Sequence, residues 1–146
     1  MSGSIDPREL LADPAQAGAY FIDARDARAL ADAAAELEFA VARVDFAGCA
    51  DKDDALARIA AGLRFPAWFG HNWDALNDCV NDLSWWPAPG YLLLIEHAGP
   101  WQAEHGEDAA TLVEILNDAA QDWAKSRIAF WALLPLPQAE LAQMAP

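Results

Sequence analysis

Two runs of carboxylates at helical spacing offer the most chemistry in this chain. Asp74, Asp78 and Asp82 form one, and Glu114, Asp118 and Asp122 form the other, each at i, i+4 and i+8. On a helix that spacing stacks like charges one turn apart, and each adjacent pair costs about 0.2–0.5 kcal/mol. The sixty residues from Phe65 to Ala124 hold ten carboxylates and not one Lys or Arg, so no cation inside the span offsets these repulsions. Such an array could serve acid–base catalysis, metal ligation, or the reception of something strongly positive.

The first two uses fit poorly. Acid–base work needs carboxyls whose surroundings push their pKa values apart, and these acids fall on the solvent side of amphipathic stripes. The chain has no Gly-rich phosphate loop, no Ser in an elbow motif and no visible Cys–His pairing. His71, His97 and His105 lack the HxH or HxxxH spacing of metal ligands, and the acids lack the alternate-residue pattern of a calcium loop. No enzyme activity, metal or cofactor is expected.

Charge points to the third use. The net charge of −14 argues against nucleic acid and anionic membranes, and makes a basic protein the natural complement. An acidic protein can have acidic faces for no reason beyond solubility. Here, however, all nine Lys and Arg lie outside the acidic span, and Trp68-Phe69 immediately precedes the first ladder. Rigid aromatics beside steering charge are what protein interfaces favour.

The elements that must position these residues follow from periodicity. Asn72 is placed to cap a helix running to about Ser84, with Trp73, Leu76, Val80 and Leu83 inward and Asp74, Asn77, Asp78, Asn81 and Asp82 outward. A second helix is expected from about Glu107 to Trp123, with Leu112, Ile115, Leu116, Ala119 and Trp123 inward. Tyr91 to Glu96 is a continuous apolar run, as in a strand buried on both faces of a parallel sheet. Phe39–Phe46 and Ile128–Leu134 read as further strands, and Asp51–Leu63 as a helix between them. Before these, Tyr20–Ile22 suggests a short strand and Arg25–Leu37 a helix, after a polar arm from Met1 to Gly18 that looks loosely docked. Strands alternating with helices imply a parallel sheet with right-handed crossovers. At 146 residues and 55% hydrophobic, the chain can fill one core. Cys49 and Cys79 have no redox or metal spacing and read as buried thiols of a reducing cytoplasm. With no signal-peptide pattern and no apolar run long enough for a membrane, a soluble cytoplasmic protein is expected.

The segment from Phe69 to Cys79, Phe-Gly-His-Asn-Trp-Asp-Ala-Leu-Asn-Asp-Cys, resembles the signature of the barstar family, intracellular protein inhibitors of secreted microbial ribonucleases. The pattern is an aromatic, Gly, any residue, Asn, an apolar residue, Asp-Ala-Leu, a variable position and Asp. The likeness runs from about Phe39 to Leu134. It implies an α/β fold with a small three-stranded parallel sheet packed with helices. Residues 38–136 would form that domain, 1–37 an N-terminal strand-and-helix extension, and 137–146 a tail.

The resemblance also implies roles. Asp78 would enter the pocket that holds the substrate phosphate in the nuclease, and Asp74 would sit beside it. Trp68 would match an aromatic that packs on the nuclease, and Asp118 and Asp122 acids that reinforce the field. The partner-facing set is then Trp68, Phe69, His71, Asp74, Asn77, Asp78, Asn81, Asp82, Asp118 and Asp122. Some members carry large aromatics where this chain has Asn77 and Leu83.

The function expected is inhibition of a basic secreted or toxin-type ribonuclease by a protein that is monomeric when free. An immunity protein against a non-ribonuclease toxin, using the same acidic face, is the alternative. A carboxylate enzyme built on Asp74 and Asp78 is a third reading.

Overall fold

A computed structural model describes residues 6–144. Its framework is one sheet of four parallel strands: β1 (Ala19–Asp23), β2 (Ala40–Asp45), β3 (Gly90–Glu96) and β4 (Ala129–Leu136), in the order β1-β4-β3-β2. The expectation of three strands is therefore corrected. Tyr20–Ile22 is not an appendage but an edge strand, in register with Leu133, Leu134 and Pro135 of β4.

Among the described residues seven α-helices surround the sheet: α1 (Pro7–Leu11), α2 (Ala27–Glu36), α3 (Lys52–Gly62), α4 (Trp73–Asp82), α5 (Gly99–Glu104), α6 (Gly106–Lys125) and α7 (Gln138–Met144). Of these, α1, α5 and α7 are short pieces that the apolar periodicity did not reveal. Residues 1–5 of the expected polar arm lie outside the described residues. The rest of that arm is docked: Leu11 is buried, and its carbonyl accepts the Trp131 indole N–H at 2.9 Å.

Strand order explains the layering. The chain crosses the sheet from β1 to β2 through α2, then returns through β3 to β4 by way of α3, α4 and α6. Right-handed crossovers in opposite directions put their helices on opposite faces. The side chains agree. Tyr91, Leu93, Ile95, Phe130, Ala132 and Leu134 pack with α3, α4 and α6. Leu92, Leu94, Trp131 and Leu133 pack with α1 and α2. The alternation of a strand thus feeds two cores, and the unbroken apolar run from Tyr91 to Ile95 follows from that. At the start of β3, a side chain on Gly90 would collide with the Phe39 ring, so glycine permits the close approach.

Local capping fixes the turn from β2 into α3. Asp51 accepts the Asp54 N–H and Asp54 accepts the Ala50 N–H, both at 2.9 Å, so the N-cap and the first-turn acid each satisfy a backbone donor at the helix start. Arg58 binds the Asp54 carboxylate at 2.9 Å and also the carbonyls of Asp45 and Ala47. The Arg58 guanidinium, and after it the Ala50 N–H, hold the Asp54 carboxyl below its ordinary value. A depressed carboxyl contributes stability above its unfolded pKa and loses it as pH falls through the folded one. Asp54→Asn should therefore flatten the acid limb of stability below about pH 4, read by thermal melts across pH. An unaltered acid limb would show that the Asp54–Arg58 pair contributes nothing.

Candidate functional site

The acidic face is held by α4, α6 and the loop before α4. Asn72 Oδ1 accepts the Ala75 N–H at 2.7 Å and starts α4 as its sequence position implies. Leu83, in the left-handed conformation at φ 49°, ends it. Leu76, Cys79 and Val80 are buried, which turns Asp74, Asn77, Asp78 and Asp82 outward, all exposed. On α6, Leu112, Leu116 and Ala119 face the core and Glu114, Asp118 and Asp122 face solvent.

The two ladders lie side by side. Near the start of α4, a groove of about 340 Å³ is shared by Asp74 and Asn77 with Glu114 and Asp118 of α6. Further along, the Trp123 indole N–H donates to the Val80 carbonyl at 2.8 Å. The helices therefore run in the same sense, and repulsion acts between them as well as along each. One cation relieves one end: Lys125, the first residue past the cation-free span, reaches Asp122 at 3.3 Å. This corrects the expectation of an entirely unpaired array. Both groups are exposed, so the pair is worth little to stability, and it leaves the other acids unscreened.

The loop divides its two aromatics. Trp68 is 64% exposed, its indole edge-on to Trp85 with ring centroids 6.3 Å apart. Phe69 is only 5% exposed, packed edge-on to Phe65 at 4.9 Å. Phe69 was expected on the contact surface. It is a core residue instead, because the turn closed by its N–H to the Pro66 carbonyl sends its ring inward. Its ring packs against the exposed His71 ring, 4.8 Å away, while Trp85 backs Trp68. Under the loop, the Trp85 indole donates to the Leu63 carbonyl at 3.0 Å, and Arg64 lies over Trp86 at 4.0 Å.

Asn81 is only half presented. Its amide nitrogen turns back to the Asn77 carbonyl at 2.7 Å, and its side-chain oxygen is buried without a hydrogen-bond partner. Leu83 is fully buried, so the absence of an aromatic there alters the core and not the contact surface. Asn77 is the exposed position where an aromatic is lacking. Glu114 completes the groove, and its place in the second ladder was the sequence signal for it. Among the described residues, no group of three or more His, Cys, Asp or Glu could hold a metal ion.

Fold and face together define a parallel α/β domain that presents a rigid acidic surface with one exposed Trp at its end. The chain belongs to the barstar family: residues 39–135 match the family described as Barstar (barnase inhibitor), a family of protein inhibitors and not of enzymes. No curated protein matches it. Among solved structures it is similar to the ORC2 protein of Aeropyrum pernix, solved in ADPNP and ADP complexes. That match has 16% identity and a TM-score of 0.60, and covers 95% of this chain and 40% of the other. At that identity the likeness is one of fold alone, and this chain spans 40% of that protein's length.

Proposed function

We propose that this protein neutralises a basic ribonuclease in the cytoplasm of the cell that makes it, by seating the segment from Trp68 to Asp82 in the nuclease active site. The observation that carries the reading is the pair of parallel acidic helices with the exposed Trp68 at one end. A ribonuclease site is built to bind a polyanion, and a fixed array of carboxylates offers charge where phosphates would lie. The family match supports an inhibitor acting on a protein partner. Asp78, central in the first ladder, is the residue that enters the phosphate pocket. Asp74, Asp118 and Asp122 supply the surrounding field.

Steering by such a field has a direct test. Mixed in stopped flow with a purified basic microbial ribonuclease, the protein should associate at about 10⁸ M⁻¹s⁻¹ at low salt. In about 1 M salt, where charges are screened within about 3 Å, the rate should fall at least tenfold. A salt-independent rate would remove the acidic face from the encounter.

One observation favours a second reading, a basic toxin that is not a ribonuclease. Asn77 is exposed where some family members present a large aromatic, so the surface beside Asp78 differs in shape from theirs. Binding to a basic toxin with no effect on RNA cleavage would decide for it.

A further inference from the structure

The two edges of the sheet are unlike. At the β2 edge the exposed side chains are Arg43 and Asp45, charges of the kind that keep a foreign strand from pairing. Strand β1 reads Ala19-Tyr20-Phe21-Ile22 and carries no charge before Asp23. The Ala132 N–H donates to the Gly18 carbonyl at 3.0 Å, which sets the alternation along β1. The main-chain groups of Tyr20 and Ile22 face β4, and those of Ala19, Phe21 and Asp23 face away. Asn117 on α6 occupies one of the outward groups, its Oδ1 accepting the Ala19 N–H at 2.7 Å. The Phe21 N–H and carbonyl come next along this edge, and among the described residues no further strand of the sheet lies beyond it.

Apolar grooves flank this edge on both faces of the sheet. One, of about 370 Å³, lies over Tyr20, Ile22, Leu30 and Trp131, with Tyr20 itself 45% exposed. The other, of about 510 Å³, runs between Phe21 and α6, past Ala110 and Val113 to Glu114 and Asp118. A strand laid beside β1 would send alternate side chains to the two faces, one set into each groove. Sheet edges read extended peptides in this way, with main-chain bonds for affinity and pockets for selectivity.

The second groove also fixes the charge of the occupant. Glu114 and Asp118 line it and line the α4–α6 groove with Asp74 as well, so the acidic face continues to the β1 edge. We propose that β1 receives an extended basic segment of the protein partner bound by the acidic face. Its apolar side chains fill the grooves and a Lys or Arg reaches Glu114 and Asp118. The identity of that partner rests on the proposed function. A second copy of this chain would bring another charge of −14 to the same acids, so pairing between copies is opposed. This second contact comes from a strand that precedes residue 39, where the family match begins.

Amide hydrogen exchange on the full chain tests the proposal, with three probes. These are a basic microbial ribonuclease, the peptide acetyl-(Lys-Val)₃-amide and its Glu-Val counterpart. The ribonuclease should slow exchange at Phe21 and Asp23 at least tenfold, together with the loop from Trp68 to Asn72. The Lys-Val peptide should protect Phe21 and Asp23 alone, and the Glu-Val peptide neither. Protection of the loop with Phe21 and Asp23 unchanged overturns the second contact and leaves the active-site reading standing. If the ribonuclease protects neither region, that reading fails and the Lys-Val peptide decides the edge: protection at Phe21 supports it, and none overturns it. Protection at Phe21 that rises with protein concentration alone identifies a second copy as the occupant and overturns the proposal.

Discussion

Asp78→Ala should weaken binding to a basic ribonuclease by about 2–5 kcal/mol while leaving the free protein folded and slightly more stable. The loss is that of cutting one partner from a buried charge pair, since the nuclease cations are left desolvated and uncompensated. Barnase–barstar itself is among the complexes behind that range. The gain in the free protein comes from within α4. Asp78 stands one turn from both Asp74 and Asp82, so its removal ends two like-charge pairs, each worth a few tenths of a kcal/mol. Opposite signs in the two measurements separate a binding residue from a folding one. Titration calorimetry reads the first and urea unfolding the second. A binding loss below about 1 kcal/mol, the worth of an exposed pair, would remove Asp78 from the tip of the contact.

Trp131→Ala should cost about 3–5 kcal/mol of folding stability, as large aromatic truncations in cores do. Trp131 is buried in the core between the sheet and α2, packs on Tyr20 with ring centroids 5.7 Å apart and donates to the Leu11 carbonyl. It therefore joins α1, β1 and β4 at once. The variant leaves a cavity and an orphaned carbonyl, and loosens the segment before residue 39 from the sheet. Urea unfolding measures the loss. A value below 1 kcal/mol would mean that this segment is dispensable to the core. The result bears on function because α6, which carries the second ladder, contacts β1 through Asn117.

Much of this was legible in the chain. The helix from Asn72 and the α6 stripe were visible from their helical period, and the double-faced strand from Tyr91 from its unbroken apolar run. The Trp85–Pro89 stretch, with its two prolines, marks the stop for α4, but the left-handed Leu83, expected on the inward stripe, ends the helix at Asp82, two residues before Ser84. Strand β1 was legible as a strand but not as part of the sheet, since pairing with β4 joins residues far apart in sequence. Helix α1 spans only Pro7–Leu11, too short for a period to show. Its anchor is Trp131, which nothing local reveals. The outward placement of the acids of the candidate site was legible from spacing alone. Phe69 was misplaced because adjacent aromatics look alike in sequence, and only the turn at Pro66 sends one in and leaves the other out.

The most direct test of the central claim is a titration of RNA cleavage by a purified basic microbial ribonuclease. Cleavage should end at one equivalent of this protein, and Asp78→Ala should need a large excess to reach the same point. Cleavage that continues unchanged under an excess of the wild-type chain would overturn the active-site reading.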